Sequence, residues 1–307
     1  MDLEEWGAVP WTTHFVDIKG ISASGKESCT RVKMQWDSAF LYIAAEIEEK
    51  HIWATKLEKD MALYHENVFE VFIDTDGSTH HYYELQINAL GTVWDLMLTK
   101  PYRDGGVPIS NWDIEGLKKC IGINGTLNDP SDTDTSWIVE LAIPFKALAK
   151  DSKQPEGQIW RINFSHVTWE LANIDGKYEK KINPTTGIIL PEQYWVWSSQ
   201  GVINMHQPEK WGYVFFDIDK SNIPNDWNLD IEEVKWELRK VYYAEGEYFE
   251  KKGTFTDQRE LLDLEVHENI LIATTQSLFE ATMPHNQVTW HIDNEGKTWK
   301  TENSLQK

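Results

Sequence analysis

Glu70, Gln86 and Asn88 are the residues whose types and spacing suit a chemical task. Each belongs to an alternating run, 68–74 or 82–89, and each has the parity that sends its side chain to the same polar face. A carboxylate and two amides converging there can donate and accept hydrogen bonds in the plane of a hydroxyl-rich ring. Such a ring also carries apolar C–H patches, which lie well on an aromatic face. Tyr64 stands at the entrance of the first run and Trp94 lies inside a third, 92–98, so both are candidate platforms. Sixteen tryptophans make platforms plentiful, yet large rings serve cores equally well, and the count does not separate the two uses. Nor does parity by itself distinguish a binding face from a solvated one.

The elements that must hold these side chains read as strands. In the first run Phe69, Val71 and Ile73 alternate with Glu70, Phe72 and Asp74; in the second, Tyr83, Leu85 and Ile87 alternate with Glu84, Gln86 and Asn88. Asp76-Gly77 supplies the turn between them, and Gly91 precedes the third run, which predicts a three-stranded antiparallel meander. Further strands are expected over 31–36, 40–48, 116–127, 137–143, 158–169, 194–198 and 212–216, with Pro144 opening a short helix and 172–191 forming turns. About ten short strands without intervening long helices argue for an all-β antiparallel sandwich over 1–218. Beyond it, 219–307 reads as a small α+β appendage. A turn at Asn225-Asp226 leads into an amphipathic helix over 229–249, then a helical piece over 256–264 and strands over 269–275 and 287–292.

Composition narrows the function. A chain of 307 residues has room for one β domain of roughly 200 residues and a smaller partner. No apolar run approaches the ~20 residues of a spanning helix, so membrane insertion is not expected. With 29 basic and 50 acidic residues the formal charge is -21, a field that disfavours nucleic acid and anionic membranes. Cys29 and Cys120 form neither a metal cluster nor a disulfide framework. The N-terminal residues have no signal-peptide pattern, which fits a cytoplasmic protein or an exported one whose signal is absent from this chain. There is no Gly-x-Ser-x-Gly elbow, phosphate loop or His-Glu-x-x-His helix. Paired-carboxylate glycoside hydrolysis is an alternative, since Glu70 and Glu84 share a face. Asp74, Asp76, Asp129, Asp132 and Asp134 lie in turns, as either structural calcium ligands or backbone caps.

Six segments bring a resemblance. LYIAAEIEE (41–49), ENVFEVFIDTDG (66–77), YYELQIN (82–88), WIVELAIPFKAL (137–148), WRINFS (160–165) and PEKWGYVFF (208–216) occur in the order of carbohydrate-binding modules of family 9. The chain resembles that family over about residues 6–218. The resemblance implies a jelly-roll-like sandwich that binds chain ends of glucans and xylans without catalysis, is exported with polysaccharide-degrading enzymes, and often holds structural calcium. It also implies an extracellular or periplasmic location and an oligosaccharide or polysaccharide partner. In the family two aromatic rings clamp the sugar while a glutamate, an arginine and an asparagine read its hydroxyls. Here the first ring falls on Tyr64, the glutamate on Glu70 and the asparagine on Asn88. The arginine position falls on Gln86, which lacks the charge-assisted bond, and the second ring falls on Met205 beside His206. Trp94 or Trp195 is then the replacement ring, and Arg103, in the Gly- and Pro-rich loop 100–112, is placed to reach a ligand at one end of the sandwich. Related sandwiches resemble haem-binding electron-transfer domains, but Met205 and His206 are neighbours that point to opposite faces of a strand, and a missing Soret band would dispose of that alternative. The sequence names no partner for the appendage.

Overall fold

The computed structural model describes residues 6–21, 27–148, 155–217 and 229–303. The chain begins with β1 (Phe15–Asp17), β2 (Glu27–Ser28), β3 (Arg31–Trp36) and β4 (Phe40–Glu48), then forms the meander β5 (Val68–Asp74), β6 (Tyr82–Ile87) and β7 (Val93–Leu98). There follow β8 (Pro108–Ile109), β9 (Lys118–Asn124), β10 (Ser136–Pro144), α1 (Phe145–Leu148), β11 (Ile159–Thr168), β12 (Leu171–Ile174), β13 (Lys177–Lys180), β14 (Gln193–Val196) and β15 (Gly212–Phe215). The C-terminal part holds α2 (Leu229–Lys252), β16 (Leu271–Thr274), β17 (Phe279–His285), β18 (Val288–Asp293) and β19 (Thr298–Glu302).

Two antiparallel sheets make the sandwich. One has the order β2-β1-β14-β11-β5-β6-β7-β8, with β15 also paired to β11; the other is β3-β4-β10-β9. Phe69, Val71 and Ile73 from β5 share one core with Ile43 and Ile47 from β4 and with Trp137 and Val139 from β10. Burying each such side chain stabilises the fold by roughly 1.5–3 kcal/mol. This is the antiparallel sandwich expected from the strand pattern, with the jelly-roll-like form that the family resemblance implies.

The alternation in β5 is as predicted, but all seven of its residues are buried. Its second face is roofed rather than solvated, because Phe72, Tyr82, Leu96, Met205 and Trp211 form a second apolar cluster over the sheet. Trp137, Trp160 and Trp211 are almost wholly buried, so core filling accounts for part of the tryptophan content.

Other expectations shift. The segment expected to be turns contains the β12–β13 hairpin, closed by Asp175 and Gly176, both at positive φ as a tight hairpin turn requires. Of the short helix after Pro144, Phe145–Leu148 is described and the rest lies outside the described residues, as do the boundary at 218 and the Asn225-Asp226 turn. The helical piece near 256–264 is only a 3-10 turn, Arg259–Leu261. β17 and β19 were not anticipated. Pro284 argues against a strand, but it lies beyond the residues of β17 that pair with β16, so its missing N–H leaves no partner unmet there. Strands β16 to β19 form one sheet, from which Phe279, Ala281 and Met283 of β17 and Ile292 of β18 pack with Val234, Leu238 and Val241 of α2. No described helix is long and apolar enough to cross a membrane.

Candidate functional site

The register of the meander aligns Glu70, Gln86 and Trp94 directly across β5, β6 and β7. The next row on the same face is Phe72, Glu84 and Leu96, which makes Glu84 the diagonal neighbour of Glu70. Glu70, Gln86, Trp94, Phe72 and Glu84 floor a cavity of about 360 Å³. That lies within the roughly 300–1,000 Å³ usual for small-molecule sites.

The walls come from elsewhere in the chain. Tyr64 is on the 3-10 turn Leu63–His65, Tyr102 on the turn Tyr102–Asp104, and Tyr194 on β14; Met205 and His206 precede the turn Pro208–Lys210. The Tyr102 turn closes because Gly105 takes the left-handed conformation, at φ 78°, and because a Cβ at Gly106 would collide with the carbonyl of Lys100. Tyr64 and Trp94 lie 6.1 Å apart at 32°, and Tyr102 meets His206 edge to face at 4.5 Å. Tyr102 is 42% exposed, a ring at the cavity mouth.

The floor is electrostatically unusual. Burial raises the pKa values of Glu70 and Glu84 above the ordinary carboxylate range, and for Glu70 the neighbouring Glu84 raises it further. Gln86 Nε2 donates to Glu84 Oε1 at 2.7 Å, which works against that rise. His206 Nε2 is 3.8 Å from Glu84 Oε2, but burial holds the imidazole down to about 4, so it is neutral. Gln86 Oε1 and Trp94 Nε1 are buried and, among the described residues, without a hydrogen-bond partner. An acceptor and a donor left open on opposed residues are suited to a ligand hydroxyl.

The structure therefore brings Tyr64, Glu70, Gln86, Trp94, Met205 and His206 around one cavity. It places two other expected residues elsewhere. Asn88 is fully buried; its Nδ2 donates to Lys56 O and Glu66 Oε1, and its Oδ1 accepts from the N–H groups of Leu90 and Thr92. Its bonds close the β6–β7 connection and leave nothing for a ligand. Asn88→Ala is expected to cost about 1–3 kcal/mol of stability, measured by urea unfolding, since it strands several buried polar groups. Arg103 is also committed, with Nη1 and Nη2 donating to Glu209 at 2.8 and 3.0 Å and Nε to the Tyr242 hydroxyl at 3.0 Å.

Trp195, the other candidate ring, packs against the main core and does not line the cavity. Tyr102 and Tyr194 were not selected as contacts, although Tyr102 sits in the same Gly- and Pro-rich loop as Arg103. Glu84 was legible by parity, but as a catalytic partner rather than a binding group.

The turn aspartates act as caps. Asp74 accepts from the N–H groups of Asp76, Gly77 and Thr79, Asp76 from Ser78, Asp129 from Ser131, and Asp134 from Thr126 and Ile52. Asp132 receives the Thr126 hydroxyl. Among the described residues one acidic triad has metal-like spacing, Asp60, Asp95 and Asp113, and Lys59 Nζ reaches all three. A larger cleft of about 630 Å³ near Glu49 and Trp169 is lined by Trp195 and Asp134 but by none of Tyr64, Glu70, Gln86, Asn88, Trp94, Arg103, Met205 and His206. Its buried Glu49 already accepts from Asn67 and from Trp137 Nε1.

No curated protein matches the chain. Among solved structures, a protein of Bacteroides uniformis ATCC 8492 with an ascribed carbohydrate-binding role is 14% identical, with a TM-score of 0.49 over 69% of this chain and 87% of that one. A family 9 carbohydrate-binding module of Caldicellulosiruptor kristjanssonii, solved with cellotriose, is 15% identical with a TM-score of 0.43, over 73% of this chain and 91% of that one. The same organism's module solved with glucose is 16% identical with a TM-score of 0.43, over 73% and 92%. The family described as carbohydrate family 9 binding domain-like matches residues 3–183, more than half of the 307 residues. The chain belongs to the carbohydrate family 9 binding domain-like family.

Proposed function

We propose that the cavity over β5, β6 and β7 binds carbohydrate without chemical change, taking an oligosaccharide or the end of a polysaccharide chain outside the cytoplasm. Glucans and xylans are the first classes to test, and both solved modules above were crystallised with gluco-sugars. The observation that carries the reading is the cross-strand row Glu70–Gln86–Trp94, with unpartnered polar atoms on its last two members and tyrosines around it. Tyr102, a ring at the cavity mouth, takes the role of the second ring that Met205 cannot fill.

Titration calorimetry against gluco- and xylo-oligosaccharides tests this. Tyr102→Ala is expected to weaken binding about tenfold, roughly 1.4 kcal/mol, and Trp94→Ala by at least as much, because each removes a stacking face. Binding indifferent to both substitutions would move the site elsewhere. The paired, raised carboxyls favour glycoside hydrolysis as a second reading, because active sites concentrate such shifts. Release of reducing sugar, abolished by Glu70→Gln, would replace the binding reading with that one.

A further inference from the structure

Two carboxyl groups are buried in the cavity floor, and among the described residues no Lys or Arg lines it. Glu70 is 3% exposed and Glu84 4%, on diagonal positions of adjacent strands. The nearest ring nitrogen, His206 Nε2 at 3.8 Å from Glu84, belongs to a neutral imidazole. A buried acidic pair without a counter-ion is costly to fold around. The polar atoms beside it are also unbalanced. Gln86, 2% exposed, spends its Nε2 on Glu84 and leaves Oε1 as an acceptor with no donor. The floor thus holds Gln86 Oε1 and two buried carboxyl groups that keep their protons for want of a counter-charge, with Trp94 Nε1 as an open donor beside them, beneath the rings of Tyr64, Trp94, Tyr102 and Tyr194.

We propose that this floor takes a positively charged amino group, and that the preferred ligand is a sugar with a free amine, such as a 2-amino-2-deoxyglucose unit of a β-linked glucan-type chain. The inference rests on the cavity being the carbohydrate site. An ammonium group has three donors and no acceptor, so it can satisfy Gln86 Oε1 and both glutamates at once, whereas a hydroxyl brings one donor and a lone-pair demand of its own. It also supplies the missing counter-charge, and aromatic faces attract cations electrostatically. A chain of formal charge -21 steers cations towards it. On docking, the carboxyl that pairs with the ammonium gives its proton to solvent, so the cation replaces that proton and the charge of the site is unchanged.

The test is calorimetry of the full chain at about pH 6, where a sugar amine is protonated, with three disaccharides of the same linkage: cellobiose, its diamino counterpart, and the N-acetylated form. The diamino sugar is expected to bind at least about tenfold tighter than cellobiose, and the N-acetylated one no tighter. Glu84→Gln should bring the ratio of the first two affinities close to one. In the unsubstituted protein the heat for the diamino sugar alone should vary with the buffer's ionisation enthalpy, as proton release demands; this measurement needs no variant to fold. If cellobiose binds as tightly as the diamino sugar, or its heat depends on buffer in the same way, the amine inference is overturned and the carbohydrate reading stands. If none of the three binds, both are overturned.

Discussion

Glu209→Ala is expected to lower the free energy of unfolding by about 3–5 kcal/mol. Glu209 is 6% exposed and accepts both guanidinium bonds of Arg103 as well as the Tyr243 hydroxyl. Burial by itself would raise its pKa, but Arg239 and Arg103 overcome that and hold it at about 2. Arg239 is also buried, with Nη1 donating to Gly296 O at 2.7 Å. Removing the carboxylate withdraws the main counter-charge of half-buried Arg103 and buried Arg239 and leaves them with Asp104, whose Oδ2 is 3.4 Å from Arg103 Nε. The double variant Glu209→Ala with Arg103→Met should therefore be more stable than Glu209→Ala alone, as a coupled pair requires. Urea unfolding of the three proteins checks this, and a single-variant cost below about 1 kcal/mol, the usual worth of a surface pair, would mean that the cluster is solvated.

The second large effect is on the pH dependence of stability. Burial pushes Glu49 up to about 8 and Asp74 and Glu245 up to about 7, and raises the Glu70–Glu84 pair as well. These groups keep protons when folded that they lose when unfolded above about pH 4.5. Stability must then rise as pH falls through their folded values, by roughly 1.4 kcal/mol per pH unit for each proton involved. Buried histidines oppose this at lower pH. His166 is held down to about 3 and His80 and His206 to about 4, so the unfolded chain takes up protons below about 6.5 that the folded protein refuses. Melting temperature should climb steeply from about pH 8 to about 6.5 and more shallowly below. A profile flat over the upper interval would show that these carboxyls are hydrated and ionised in the fold.

Period-two alternation carried much of the architecture. The placement of Glu70, Glu84 and Gln86 on one face and of Phe69, Val71 and Leu85 on the other followed from parity, and the register agrees. What parity does not show is what lies over a face. Phe72 and Leu96 share the side with Glu70, and they are buried because the segment holding Met205 and Trp211 folds across them, more than a hundred positions later. The assignment of Arg103 failed for the same reason. A guanidinium in an exposed-looking loop reads as a ligand contact until Glu209 closes on it from 106 residues away. Asn88 has the right parity but sits one step past the strand, where an amide serves its own turn. Tyr194 reaches the cavity through the pairings of β14 with β1 and β11, for which local pattern has no signal, whereas Tyr102 lies in the Gly- and Pro-rich loop that follows β7.

The link from Arg103 to Glu209 ties together the two loops that carry Tyr102 and His206, and Tyr242 and Tyr243 of α2 clasp the same knot. Much of the ordering that a ligand would otherwise have to impose on those loops is thus spent during folding, which favours a slot of set width over one that adapts. A fragment cut back to residues 3–183 would retain Glu70, Gln86 and Trp94 but lose Tyr194, His206 and the clasp. It would be an open tray, with weaker grip and looser selectivity than the whole chain.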